Sequence, residues 1–246
     1  MDPSTDETAG IPPLTRFPHM PFSDDHTSET ILTYEGIAEY YSTIEDDPTL
    51  RASIRQLLGR PDKNNRILEL GCGPGIDANA LKLAGHEVVA IDLCEAFVNR
   101  GKLRFPEVQF ELMDMRRPDF EPASFDGILS MSSLVHVVPD ELSEAIATYR
   151  RLLRPGGRLV VWNSDSTMVD YYDVPDWGNA SSRYLRMWCH DRVVMKQAME
   201  DAGFDQIRLM QIDSEYYRGM RRIQENEVSL YVAVGQIDEK PHSVEN

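Results

Sequence analysis

Apolar and polar positions recur with two different periods along the chain, and the change of period divides it into elements. Residues 29–58 carry the helical period. Ile31, Tyr34, Ile37, Ala38 and Tyr41 fall on one face, and Ile54, Leu57 and Leu58 resume the pattern after Pro48, until Gly59 and Pro61 end it. From residue 66 short apolar runs take over. Strands are predicted at 66–70, 88–91, 108–112, 125–130, 158–162, 206–211 and 228–234, most of them rich in Val, Ile, Leu and Phe. Helices are predicted between them, from the turn after residue 75 to about residue 84, at 95–102, at 139–153 with proline in the first turn, and at 191–202 ending at Gly203.

Strands alternating with helices, and strands too apolar to face water on either side, predict an α/β fold: a doubly wound, mostly parallel, seven-stranded sheet with helices on both faces. No helix is predicted between the last two strands, so the C-terminal edge is expected to be antiparallel. The pattern makes one domain over 29–236, with a helical N-terminal cap. Residues 164–187 read as an irregular insertion, long for a strand-to-helix connection and therefore functional. Residues 1–28, rich in Pro, Ser, Thr and Asp without periodicity, read as a disordered or lid segment, and 237–246 as a flexible tail.

Composition narrows the function. The 246 residues carry a formal net charge of −16. Such a field repels polyphosphate, so nucleic acid is not expected as a partner, and Arg150, Arg151 and Arg154 read as a solvated helix face. Three cysteines, Cys72, Cys94 and Cys189, make neither a disulfide framework nor a zinc signature, and no metal site is expected; Asp165, Asp170 and Asp173 are the nearest approach to one. No basic and apolar leader is visible and no apolar run approaches the ~20 residues that span a bilayer, so a cytoplasmic location away from membranes is expected.

The strongest local signal is Ile67-Leu68-Glu69-Leu70-Gly71-Cys72-Gly73-Pro74-Gly75, a strand running into a glycine-rich turn and then a helix. Glycines there let backbone approach a ligand, and the helix N-terminus offers unpaired N–H groups. The second strand ends at Asp92, where a carboxylate can accept hydrogen bonds from ribose hydroxyls. Gly73-Pro74-Gly75-Ile76-Asp77-Ala78 also fits a G-x-G-x-x-A dinucleotide turn, so a nicotinamide-dependent oxidoreductase stays open at this point.

The order Glu69-x-Gly71-x-Gly73-x-Gly75, then Asp92, then Asp114-Met115, then 126–130, then Leu152-Leu153-Arg154-Pro155-Gly156-Gly157-Arg158-Leu159 resembles the class I S-adenosylmethionine-dependent methyltransferase family over about residues 31–235. Tyr34-Glu35-Gly36-Ile37-Ala38-x-x-Tyr41 is similar to the helix with which the family's small-molecule branch covers its cofactor. The resemblance implies a Rossmann-like methyltransferase fold, S-adenosyl-L-methionine as cofactor and methyl transfer to a small-molecule acceptor. It implies that Gly71, Cys72, Gly73 and Gly75 form the turn at the methionine and ribose, that Glu69 reaches the methionine ammonium, and that Asp92 holds the ribose with Leu93 against the adenine. It further implies that Asp114 accepts from the adenine amino group with Met115 on the ring, that Ser130 and Met131 face the methionine, and that Tyr41 closes the pocket from above.

Displacement at a sulfonium methyl draws much of its rate from alignment and desolvation, but a protic acceptor needs a base. His136, where the chain leaves the fourth strand, is the first candidate, and His190, before a helix, the second. Tyr171, Tyr172, Trp177, Tyr184 and Trp188 are candidates for the wall of an apolar acceptor pocket. A methyltransferase-like enzyme that binds the cofactor but catalyses a cyclisation or rearrangement would show the same nucleotide motifs.

Overall fold

The computed structural model describes residues 26–44, 47–59, 64–175, 184–214, 217 and 227–239. The elements are α1 (His26–Tyr41), α2 (Pro48–Arg55) with a 3-10 turn at Gln56–Leu58, β1 (Arg66–Leu70), α3 (Ile76–Leu83), β2 (Glu87–Asp92), α4 (Glu95–Arg104), β3 (Gln109–Leu112) and β4 (Phe125–Met131). A 3-10 turn at Leu134–His136 leads to α5 (Pro139–Leu152), β5 (Leu153–Ser166), β6 (Tyr171–Pro175), β7 (Tyr184–Trp188), α6 (Arg192–Asp201), β8 (Gln206–Gln211) and β9 (Val228–Gln236).

Seven strands form one sheet in the order β3-β2-β1-β4-β5-β9-β8. The ladders among β1 to β5 are parallel, and β9 runs antiparallel to both β5 and β8. This is the expected doubly wound sheet with its antiparallel C-terminal edge. Both faces are buried, as a parallel sheet requires. Leu68, Leu70, Val89, Ile91 and Ile128 pack under α5 and α6, against Leu142, Ile146, Tyr149, Met195 and Met199. Ile67, Val88, Ala90, Leu129 and Val160 pack on the other side, against Ile54 of α2, Ala78 and Leu81 of α3, and Val98 of α4. The strand order reverses between β1 and β4, so the C-terminal ends of β1, β2 and β4 open a crevice at the switch point.

Packing on the second face depends on two missing side chains. A Cβ on Gly101 of α4 would come within 2.6 Å of the Phe110 ring, and one on Gly75 within 2.4 Å of it. The β3 aromatic thus occupies a notch that two glycines leave open.

Three expectations need correction. β5 continues past residue 162 to Ser166, because β9 pairs with it from Arg158↔Gln236 to Ser166↔Val228 and supplies ladder partners for a polar stretch that has no apolar signal of its own. The insertion at 164–187 is therefore not irregular throughout. Beyond the end of β5 it contributes β6 and most of β7, an antiparallel pair whose Tyr172, Val174, Leu185 and Met187 pack on Val135, Cys189 and Val228. Finally, 26–28 belong to α1, and the start of the tail is fixed: Ile237 is buried, its carbonyl accepts from the Gly156 N–H (3.1 Å), and the Asp238 N–H donates to Asp205 (2.8 Å). The rest of the two predicted flexible ends lies outside the described residues.

The Phe110 notch yields a stability prediction. Gly101→Ala should destabilise the domain by about 1–3 kcal/mol through overpacking, read as a lower urea midpoint at unchanged m-value.

Candidate active site

The crevice is built from four strand ends and a helical roof. After β1 the backbone turns through Gly71 and Gly73 into α3. A Cβ on Gly71 would lie 2.5 Å from the Ser133 Cβ, so only glycine lets this turn lie against the one that follows β4. Ser133 Oγ donates to the Leu70 carbonyl (2.6 Å) and hydrogen-bonds Ser130 Oγ (2.7 Å), which also accepts from the Leu134 N–H (3.3 Å). These bonds lock the ends of β1 and β4 together.

Asp92 ends β2. Its Oδ2 accepts from the Gly73 N–H and its Oδ1 from the Cys94 N–H, both at 2.8 Å. Burial outweighs the stabilising N–H groups and pushes its carboxyl up to about 6. Asp114, beyond β3, is held by its neighbour Arg116. The Arg116 backbone N–H donates to it (2.9 Å), Nε lies 3.0 Å from both oxygens and Nη2 2.6 Å from Oδ2, while Nη1 reaches Glu141 (3.2 Å). Burial alone would raise the Asp114 carboxyl, but the hydrogen bonds and charge of Arg116 prevail and hold it below the usual range.

The roof is α1. Tyr34 and Tyr41 pack with Phe97 of α4, ring centroids 5.4–5.6 Å apart. Glu35 accepts from the Ala96 N–H (3.2 Å), satisfying a free donor in the first turn of α4. At its other end α1 is pinned to β7, where Trp188 Nε1 donates to His26 Nε2 (3.1 Å). Between these anchors Tyr34 Oη lies 2.9 Å from His136 Nε2, and His136 Nδ1 lies 3.3 Å from the Arg186 carbonyl. A carbonyl only accepts, so Nδ1 carries the ring proton and Nε2 accepts from Tyr34. Burial pushes the His136 ring down to about 4, so it is neutral at pH 7.

These elements enclose a cavity of about 770 Å³, counting the space at its mouth. Of the residues singled out in the sequence, Tyr41, Gly71, Gly73, Asp92, Leu93, Asp114, Met115, Met131 and His136 line it. Glu69, Cys72, Gly75, Ser130 and His190 do not. Glu69 points to the α2–α3 face, where it accepts from the Ala78 N–H in the first turn of α3. Burial, then the charge of Asp77, pushes its carboxyl well up, and Oε2 has no partner among the described residues. Asp77 itself is paired with Arg51 and Arg55. Cys72 is buried, with its N–H on the Ile91 carbonyl (3.0 Å), and Gly75 makes room for Phe110. His190 is 2% exposed, with Nε2 on the Leu134 carbonyl (3.1 Å); it belongs to the core, which removes it as a base for a substrate in this cavity.

The aromatic candidates also divide. Tyr172 is buried under the hairpin, while Tyr171 and Trp188 pack on each other and on the Arg186 guanidinium. Trp177 and the side chain of Tyr184 lie outside the described residues. Asp165 pairs with Arg192 and Asp173 with Arg186, and the described residues hold no group of three or more metal-ligating side chains. No described helix is long and apolar enough to cross a membrane. Thr27, Thr30, Phe97 and Arg116 line the cavity without having been singled out; only the helical period of α1 and the closeness of Arg116 to Asp114 hinted at them.

Residues 67–157 match the family model described as a methyltransferase domain. Over that stretch the chain is similar to S-adenosylmethionine-dependent methyltransferases. It is 34% identical over 137 residues to a demethylmenaquinone methyltransferase of Beutenbergia cavernae, covering 52% of this chain and 55% of that protein. It is 34% identical over 131 residues to an S-adenosyl-L-methionine-dependent Diels-Alderase of Talaromyces variabilis, covering 49% and 44%. The chain thus spans about half the length of these curated relatives. The fold is shared more widely: the structure of 1,6-didemethyltoxoflavin-N1-methyltransferase from Burkholderia thailandensis aligns with a TM-score of 0.61 at 20% identity, over 89% of this chain and 92% of that one.

The pinning of α1 is testable in isolation. Trp188→Phe keeps an aromatic ring but removes the donor to His26. Amide hydrogen exchange in the first turns of α1 should then quicken by about fivefold, the worth of one hydrogen bond; unchanged exchange would mean that the pin contributes nothing.

Proposed function

We propose that the chain binds S-adenosylmethionine between the strand ends and α1 and transfers its methyl group to a small-molecule acceptor. The observation that carries this reading is Asp92, a carboxylate drawn out of water at the end of β2, fixed by the Gly73 and Cys94 N–H groups and facing the cavity. Its oxygens accept from the Gly73, Cys94 and Leu93 N–H groups and keep a lone pair for a donor, which suits a ribose hydroxyl.

The remaining wall fits the same ligand. Leu93, Phe97, Met113 and Met115 offer an apolar slot for a planar base. Asp114 lines the cavity beside this slot, and Arg116 makes four contacts with its two oxygens, so an exocyclic amino group would share an oxygen with Arg116. Gly71, Gly73 and Met131 border the methionine end, and Tyr41 closes the cavity over Gly73, 3.9 Å from where a Cβ on that glycine would stand. Glu69 supports this turn from beneath, through the α3 N-terminus. When bound, the cofactor supplies a sulfonium methyl that an acceptor displaces. The chain's own part is to exclude water with α1, to align the acceptor and to receive its proton at the Tyr34–His136 pair. The surface charge of −16 favours small acceptors over polyphosphates.

Calorimetric titration with S-adenosylhomocysteine should give micromolar binding, and NADH none; binding of NADH alone would replace this reading with an oxidoreductase. Asp92→Ala should weaken S-adenosylhomocysteine by about 1–3 kcal/mol, because the hydroxyl donors lose their acceptor. An unchanged dissociation constant would end the ribose assignment.

The same group sets a pH dependence. The ionised form of Asp92 is the better acceptor, and its carboxyl titrates near 6 in the free protein. Affinity should therefore be level above about pH 7 and decline as pH falls through 6, by at most about tenfold per unit. A flat profile down to pH 5 in wild type would count against a carboxylate contact.

A further inference from the structure

The pair at the roof shows which atom meets the acceptor. Both ring nitrogens of His136 are taken, Nδ1–H by the Arg186 carbonyl and Nε2 by the Tyr34 hydroxyl. The ring therefore has no lone pair left to offer a substrate. Tyr34 does: its single hydrogen goes to His136, and its oxygen keeps two lone pairs on a side chain that lines the cavity. The phenol ring is held edge-on by Tyr41 and His136 and at a tilt by Phe97, with centroids 5.4–5.6 Å away, so the hydroxyl has a fixed aim.

We infer that the Tyr34 hydroxyl, rather than the His136 ring, touches the acceptor and takes its proton, and that the acceptor therefore carries an O–H or N–H group and is not a thioether. The inference rests on the methyl-transfer reading above and goes beyond it by naming the acceptor class and a second residue. His136 is then a positioning residue that acts through Tyr34.

The atoms balance. The acceptor oxygen or nitrogen forms its bond to the methyl group as the sulfur–methyl bond breaks and the sulfur leaves as a neutral thioether. The acceptor's proton passes to Tyr34 Oη, while the Tyr34 phenolic proton passes to His136 Nε2. Nδ1–H keeps its bond to the Arg186 carbonyl throughout. The positive charge lost at sulfur reappears on the imidazole, so the cavity gains no net charge, and the proton departs to water afterwards. Burial pushes the Tyr34 phenol well above its ordinary value, with Tyr41 and Asp92 adding to it, so Tyr34 starts as a neutral phenol and the two transfers must be coupled.

Phenol and anisole test this without knowledge of the natural acceptor, because they differ in one donor hydrogen. With the protein saturated in S-adenosylhomocysteine, phenol should bind about fivefold more tightly than anisole, the worth of one hydrogen bond. Tyr34→Phe should abolish that preference while still binding S-adenosylhomocysteine. In parallel, ¹⁵N NMR of labelled histidine should report His136 as the neutral Nδ1–H tautomer at pH 7, with its Nε2 resonance shifted in Tyr34→Phe. Equal binding of phenol and anisole, no binding of either, or a preference that survives in Tyr34→Phe overturns the inference. A protein that does not bind S-adenosylhomocysteine at all fails the underlying reading and this inference with it; one that binds it yet treats the two probes alike fails this inference alone.

Discussion

The crevice depends on a carboxylate that is costly to bury. Asp92 sits at the end of β2 with one oxygen on the turn after β1 and the other on the start of α4. Two backbone N–H groups offset part of the cost of desolvating it, and the rest shows as a carboxyl displaced to about 6. The strand ends, the glycine turn and the helix that carries Phe97 thereby keep one spatial relation. Remove the carboxylate and the Gly73 and Cys94 N–H groups lose a shared partner as well as any ligand losing its acceptor. The proposed ribose acceptor and the structural tie between two crossovers are the same atoms.

Much of this was legible beforehand, for identifiable reasons. A buried parallel strand writes itself as an apolar run, so β1, β2 and β4 were read within a residue or two. Gly71, Gly73 and Asp92 were read because close backbone approach and a carboxylate at a strand end have few other purposes in this fold. What escaped notice depends on partners distant in sequence. The polar end of β5 becomes a strand only because β9 lies beside it. Glu69 looked like a ligand for an ammonium group, but strand alternation turns it away from the cavity and into the first turn of α3. The hold of Arg116 on Asp114 is local, but nothing in the sequence shows that the loop folds the arginine back on the acid. His190 and His136 look alike in sequence; packing alone separates a core histidine from one at a cavity wall.

The roof differs from the floor in kind. The floor is a set of strand ends fixed by ladders on both sides, whereas α1 is held by a few side-chain bonds: Glu35 to α4, Tyr34 to the turn after β4, His26 to β7. With the Glu39–Arg100 ion pair to α4 (3.6 Å), these contacts tie the helix to three separate elements. A rigid floor under a roof held by side chains suits the proposed methyl transfer, which must admit two ligands and then exclude water.

The antiparallel insertion of β9 between β5 and β8 has a consequence for how the protein is made. As the chain leaves the ribosome, each of β2 to β5 finds its neighbour among the strands already made, in the spatial order β3-β2-β1-β4-β5. The outer edge of β5 then stays bare until Val228–Gln236 has been synthesised, since among the described residues no other strand pairs with it there. A nascent or truncated chain presents an unpaired apolar edge, which is a template for a neighbouring chain as much as for its own terminus. Closure of the sheet thus follows the making of every other strand of it.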